Sequence, residues 1–120
     1  MSRVIWFEFA AEQSDRAIRF YEGVFGWQIK KWECPQPYWL ITTRANDHPG
    51  IYGGMLPRGD GCPNAVNTID VESVDKAVES ILAAGGSVAV PKMAIEGMGW
   101  IAYCRDTEGN LSGVMQAMTM

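Results

Sequence analysis

The sequence contains few of the residues that carry the most specific chemistry. It has one histidine, His48, and three cysteines without a Cys-x-x-Cys pair, so neither a disulfide framework nor a zinc knot is indicated. No apolar run approaches the ~18 residues that span a bilayer, and residues 4–10 are too short for a signal peptide. With a net charge of −4 and no Lys/Arg cluster, the chain offers no patch for a phosphate backbone. We therefore expect no membrane or nucleic-acid partner and a cytoplasmic location.

The composition is that of a folded protein. Charged residues make up 20% and apolar residues 48% of the 120 residues, which is ordinary for a globular protein. A chain of this length buries enough surface to fold without disulfides or metals. We expect a single domain over residues 1–120.

The chain repeats itself at half its own length. Residues 15–18 (DRAI) return as residues 75–78 (DKAV), an offset of 60 residues, and each copy opens an amphipathic run that stops at glycine. The same offset relates further pairs: Gly26 and Gly86, Ile41 and Ile101, Gly53 and Gly113, Met55 and Met115. Because a constant spacing indicates duplication, we predict two copies of one supersecondary unit with a cleft between them.

The two copies show the same order of elements. Residues 4–9 form a strand, residues 14–25 a helix capped by Gln13 or Ser14, and three short strands follow. The predicted modules span residues 4–56 and 64–116, and residues 57–63 link them. In the second module, residues 66–71 form a strand and a helix capped by Ser73 precedes three strands over residues 86–90, 100–105 and 111–115. The order in both modules is βαβββ.

These residues resemble a known family. The segments VIWFEF…DRAIRFYEGVFGW, GIYGGM, AAGG and GMGWIAYCRDTEGNLSGVMQ are similar to the vicinal oxygen chelate superfamily, which includes glyoxalase I and the bleomycin-resistance proteins. The resemblance covers residues 4–116 and is nearest to small proteins related to lactoylglutathione lyase. It implies an α+β fold of two βαβββ modules that form an open eight-stranded cup, commonly as a homodimer.

The resemblance also implies where a divalent metal would bind, and this sequence lacks the ligands. Metal-using members carry a His or Gln on the first strand and a Glu on the last strand of each module. Those positions hold no metal donor here: Trp6, Gly53 or Gly54, Val66 and Gly113. We expect that the family metal site is lost and that no cofactor is bound. His48 lies in an Asn-Asp-His-Pro loop, where a turn residue is the simpler interpretation.

Strand alternation predicts which side chains line the cup. If Trp6 faces inward, Glu8 does too, because side chains two apart share a face of a strand. The predicted ligand-binding residues are Trp6, Glu8, Met55, Thr68, Asp70, Trp100, Tyr103 and Met115. Such a mixture of apolar, aromatic and acidic groups is typical of a small-molecule site.

Each candidate also has a structural interpretation. Glu8 is a candidate general base or hydrogen-bond anchor, or it is paired structurally, for instance with Arg105. Trp6 and Trp100 are stacking platforms or core filler. Tyr103 is a candidate proton donor, and Cys104, on the opposite face, lacks a histidine that would activate it as a nucleophile.

Three functions remain open at this stage. The first is a metal-free protein that binds a small, partly apolar or aromatic molecule. The second is an enzyme, either with Glu8 as base or a glyoxalase-type lyase or isomerase whose metal ligands are not identified. The third is an interaction module whose hollow is filled by its own side chains. The missing ligands favour the first function over the second, and an inward carboxylate favours both over the third, because burying an unpaired charge is costly.

Overall fold

The computed structural model describes residues 2–32, 37–44, 50–58, 65–95 and 97–118. The described chain forms eight strands and two helices in the predicted order. These are β1 (Val4–Ala11), α1 (Ser14–Phe25), β2 (Gln28–Lys31), β3 (Trp39–Thr42), β4 (Tyr52–Pro57), β5 (Ala65–Asp70), α2 (Val74–Ala83), β6 (Ser87–Ile95), β7 (Gly99–Arg105) and β8 (Leu111–Ala117). His48, Cys34, Cys62 and most of the predicted linker lie outside the described residues.

The chain divides into two compact units, Trp6–Ala65 and Val66–Met120, and the second unit also includes Met1–Ile5. We refer to them as the first and second modules. The predicted module boundaries fall close to this division, except that the first five residues group with the second module. No helix in the described ranges is long and apolar enough to cross a membrane.

The first module has the strand order β2-β3-β4-β1. β1 and β4 are parallel, with Glu8 opposite Gly54, and the other neighbouring strands are antiparallel. A parallel pair requires a crossover connection, and α1 begins that crossover.

α1 covers one face of this sheet, which we call the helix face of the module, and the other is its opposite face. The buried core on the helix face consists of Ala11, Ile29, Ile41 and Met55. Aromatic side chains on either side of α1 and β1 pack against it, including Phe7, Phe9, Tyr21 and Trp27. The alternation along β1 therefore places Phe7, Phe9 and Ala11 beneath the helix, as predicted.

The second module has the strand order β5-β8-β7-β6, with β5 parallel to β8. β6 is longer than the predicted strand over residues 86–90. It continues through Pro91 because it pairs with β7 alone, and its register shifts on either side of Val90, so the missing proline N–H interrupts no regular ladder. The helix-face core consists of Val74, Ala102, Cys104 and Val114.

The helix ends are explained by their capping residues. Ser73 accepts a hydrogen bond from Lys76 N at 3.2 Å and caps α2 as predicted, whereas the side chain of Gln13 does not cap α1. α1 ends at Gly26, whose φ of 74° is the left-handed conformation predicted for it. Its N–H donates to Glu22 O.

The repeat of 60 residues holds only for the first half of each module. Glu8 and Thr68 occupy equivalent places, but Glu8 lies opposite Gly54 whereas Thr68 lies opposite Gly113, so the last strands are related by 59 residues. The proposed pairs Gly53–Gly113, Met55–Met115 and Ile41–Ile101 are therefore wrong. Ile41 corresponds instead to Cys104, since both face the helix and lie opposite the equivalent residues of the last strands.

Candidate functional site

The strongest candidate site is on the opposite face of the first module. Phe7 and Phe9 pack beneath α1, so Trp6 and Glu8 extend from the other side of β1. The Glu8 side chain is buried, with 8% of the residue exposed. Of the predicted site residues, the structure brings these two together.

The Glu8 carboxylate is held by a tyrosine that sequence reasoning missed. The Tyr38 hydroxyl donates a hydrogen bond to Glu8 Oε2 at 2.6 Å and accepts one from Trp6 Nε1 at 3.1 Å. Alternation along β3 could have revealed this residue, because Trp39 and Ile41 face the helix and Tyr38 must therefore share the face of Glu8. We call Trp6, Glu8 and Tyr38 the Glu8 cluster.

Gly54 makes room for the Glu8 cluster. It lies directly opposite Glu8 in the parallel β1–β4 pair. A Cβ atom at this position would overlap the Tyr38 hydroxyl, and the ring carbon that bears it would also be too close. A glycine is thus required for Tyr38 to reach Glu8.

A second polar position lies on the opposite face of the second module. Thr68 is 1% exposed, and its Oγ1 has no hydrogen-bond partner among the described residues. It lies across the sheet from Gly113, where an added Cβ atom would be 3.0 Å from Thr68 Oγ1 and 3.3 Å from a Tyr103 ring carbon. Thr68 and Tyr103, both predicted site residues, are therefore neighbours on one face.

Replacement of Thr68 by valine should stabilise the protein by about 1 kcal/mol, because an isosteric methyl group removes an unsatisfied buried hydroxyl. Thr68→Ser, which keeps the hydroxyl and loses the methyl group, should destabilise it. Urea unfolding measures both effects. A loss of stability in Thr68→Val would show that the hydroxyl has a bound partner, such as a water molecule or a ligand.

Met115 shares this face, and Asp70 lies at its exposed edge. In the β5–β8 and β7–β8 pairings Met115 is opposite both Asp70 and Ile101, so these side chains lie on the same side of the sheet as Thr68 and Tyr103. Asp70 is exposed. Four of the predicted residues in the second module therefore share one face.

Met55 and Trp100 do not lie where they were predicted. Met55 is fully buried in the helix-face core of the first module. Trp100 packs against the core of the second module, with Lys92 Nζ 5.7 Å from its ring centroid. Both predictions were wrong in the facing direction. Met55 was aligned with Met115 by an offset that fails in the last strand, and Trp100 alternates with Tyr103 onto the helix face.

Cys104 is a core residue. It is 3% exposed and packs in the helix-face core of the second module, opposite in direction to Tyr103. Burial raises the pKa of its thiol above the ordinary value, because the charged thiolate is desolvated. A neutral, inaccessible thiol agrees with the interpretation that Cys104 is not a nucleophile.

The Asp-Thr-Glu-Gly-Asn turn between β7 and β8 is organised by one carboxylate. Asp106 Oδ1 accepts hydrogen bonds from Asn110 N at 2.9 Å and Glu108 N at 2.8 Å. These bonds, first that from Asn110, lower the pKa of Asp106 below its usual value of 3.8. The turn therefore has a structural role.

Asp106→Asn should destabilise the protein at neutral pH, with the deficit shrinking in acid. The folded-state pKa lies below the unfolded one, so the carboxylate stabilises the fold above the unfolded pKa and this stabilisation is lost as pH falls through the folded pKa. Unfolding curves of wild type and variant should therefore converge below about pH 4. A difference that stays constant from neutral to strongly acidic pH would contradict this role.

The described residues do not supply the ligands for the metal that the resemblance implies. No group of three or more His, Cys, Asp or Glu residues that could hold a metal ion lies in the described ranges. The opposite-face positions on the first and last strands hold Trp6 and Gly54 in the first module, and Val66 and Gly113 in the second. Glu8 shares this face, but its Oε2 accepts the Tyr38 hydrogen bond. The donor set does not fit such an ion.

Comparison with known proteins agrees with this geometry at the level of family and fold. A model of the Glyoxalase/Bleomycin resistance protein/Dioxygenase superfamily matches residues 3–113. The relatives named "Putative glyoxylase CFP32" from Mycobacterium bovis and Mycobacterium tuberculosis are 28% identical over 93% of this chain. The chain spans only 44% of their length.

Solved structures share the fold. Methylmalonyl-CoA epimerase from Mycobacterium tuberculosis is 12% identical and superposes with a TM-score of 0.72 over 97% of this chain and 88% of its own. A Streptomyces coelicolor methylmalonyl-CoA epimerase in complex with 2-nitronate-propionyl-CoA is 16% identical, with a TM-score of 0.72 over 98% and 96%. The predicted fold class of paired βαβββ modules is confirmed.

Proposed function

Since the chain belongs to the Glyoxalase/Bleomycin resistance protein/Dioxygenase superfamily, we propose that it binds a small, partly apolar or aromatic molecule at the Glu8 cluster, without the family metal. The observation that carries this proposal is the buried Glu8 carboxylate, held by the Tyr38 hydroxyl at 2.6 Å. In this proposal Glu8 accepts a hydrogen bond from a donor group of the ligand.

The arrangement of the cluster favours ligand binding over a purely structural role. A buried carboxylate is costly unless it is bonded, and an apolar residue at this position would fill the face without that cost. The Trp6–Tyr38–Glu8 chain of hydrogen bonds fixes the carboxylate before a ligand arrives, which reduces the entropy lost on binding. The Trp6 ring, part-buried next to it, offers apolar surface for an aromatic group.

A second function, proton transfer, is favoured by the pairing of a carboxylate with a phenol. Glu8 would take a proton from a carbon next to a carbonyl group, and the C–H electron pair would become the π bond of an enolate. Return of the same proton to either end of the enolate would give an isomer, as in a glyoxalase-type isomerase or lyase. Tyr38 would position the carboxylate. The printed names of the relatives and of the solved neighbours agree with this class of reaction.

The proposal is tested by the affinity of a series of aromatic amines and amides for Glu8→Gln. The variant keeps the shape of the side chain and removes the charge, so any ligand bound at the cluster should be weakened by about 1 to 3 kcal/mol. Isothermal titration calorimetry measures this change. Glu79→Gln, the same change on the exposed surface of α2, is the matched control and should leave the affinity unaltered.

Two outcomes separate the alternatives. Unchanged ligand affinity in Glu8→Gln, with a lowered melting temperature, would show that Glu8 is structural and would overturn the proposal. Exchange of a carbonyl-adjacent proton of a bound ligand with deuterated solvent, lost in Glu8→Gln, would establish the enzymatic function instead. The homodimer and the cytoplasmic location stay predictions.

A further inference from the structure

The first module contains a cavity that the Glu8 cluster does not use. Its volume is about 370 Å³, and it lies where β1 ends and α1 begins. Neither Trp6, Glu8 nor Tyr38 lines it. The lining residues that carry the argument are Phe9, Gln13, Arg16, Phe20, Tyr21 and Arg58.

One wall of this cavity is aromatic. Tyr21 lies between two other rings, with centroids 5.0 Å from Phe9 and 5.1 Å from Phe20, and the Phe20 contact is edge-to-face. Phe20 is 55% exposed. A large apolar ring left half in water beside a cavity offers a surface that a planar ligand would cover, releasing bound water.

The polar groups around the cavity are predominantly cationic. Arg58 is oriented by a hydrogen bond from its guanidinium to Ala10 O at 3.3 Å and lies 4.0 Å from Glu12. Arg16 forms no ion pair or hydrogen bond through its side chain in the part of the chain that the structure describes. The guanidinium of Arg16 is therefore free to bind an anion.

The position of the cavity agrees with a general feature of parallel strands. β1 and β4 run parallel, and Arg58 follows the last residue of β4, where its N–H donates to Ala11 O at 3.0 Å. Ligands of parallel α/β units bind beyond the carboxyl ends of the strands, because the chain diverges there. The cavity lies at that edge.

We propose that this cavity binds a small aromatic carboxylate. The ring lies against Phe20 and Tyr21, and the carboxylate meets Arg16 and Arg58. The volume of 370 Å³ is at the lower end of the about 300–1,000 Å³ typical of ligand pockets, which suits a molecule with one ring. This site is independent of the Glu8 cluster and stands whether or not that cluster binds a ligand.

Titration of the ¹⁵N-labelled full chain with benzoate, followed by NMR, tests the proposal. Benzoate should shift the amide signals of residues 10–17 and of Arg58. Benzamide, which keeps the ring and lacks the charge, and acetate, which keeps the charge and lacks the ring, should each bind more weakly. Arg16→Gln should weaken benzoate about fivefold, as expected for an exposed charge-assisted contact.

Arg19→Gln is the matched control, because it removes the same charge from the next turn of α1 and Arg19 does not line the cavity. It should change benzoate affinity less than about twofold. The absence of shifts at residues 10–17, equal binding of benzamide and benzoate, or equal weakening by Arg16→Gln and Arg19→Gln would each overturn the proposal.

Discussion

Gly54→Ala is expected to destabilise the protein by about 2 to 4 kcal/mol, because the new methyl group overlaps the Tyr38 hydroxyl and drives the ring away from Glu8. Displacement of Tyr38 leaves the buried carboxylate without this donor and releases Trp6 Nε1 as well. The variant should therefore lose both stability and ligand binding. Chemical denaturation measures the first effect and calorimetry the second.

A double-mutant cycle separates this explanation from a general intolerance of β4 to alanine. In a Tyr38→Ala background the clash is absent, so Gly54→Ala should then have an effect of less than about 1 kcal/mol. Gly23→Ala is a further control. An added Cβ atom there meets no atom within 4 Å, and alanine favours the helix by about 1 kcal/mol. A full loss of stability in the Tyr38→Ala background would contradict the proposed contact.

Gly99→Ala is expected to have an even larger effect, a loss of about 3 to 5 kcal/mol in the free energy of unfolding. Gly99 begins β7 with a φ of 145°, a conformation that side chains rarely adopt. An added Cβ atom would also overlap the backbone oxygen of Gln116 on β8. Backbone cannot rotate away as a side chain can, so the β7–β8 ladder must open at this end.

Gly97→Ala in the same connection is the matched control. Its φ of 76° is also left-handed, but an added Cβ atom there meets nothing within 4 Å. Its effect should be limited to the backbone strain of about 1 kcal/mol. Equal effects of the two substitutions in urea unfolding would show that strain, and not the overlap with β8, limits Gly99.

The sequence-based predictions were most accurate where a local pattern determines the structure. The amphipathic period and Gly26 predicted the end of α1, and alternation along β1 correctly placed Trp6 and Glu8 opposite to Phe7. These features depend on neighbours within one turn or one strand, so the sequence contains the information that they require.

Positions that depend on pairing between distant strands were harder to predict. Tyr38 contacts Glu8 across 30 residues of sequence, and nothing near Tyr38 indicates that contact. Met55 was misplaced because a shift of one residue in the repeat reverses the facing direction in a strand. The orphan hydroxyl of Thr68 likewise follows from packing, which composition does not reveal.

Native mass spectrometry of the freshly purified chain, beside Glu8→Gln, tests the central claim most directly, because it reports bound metal and retained small molecules in one experiment. We expect a wild-type mass without a stoichiometric metal ion, an adduct with a small organic molecule, and loss of that adduct in Glu8→Gln. One divalent ion per chain, retained in wild type and required for the adduct to form, would contradict a metal-free site at the Glu8 cluster.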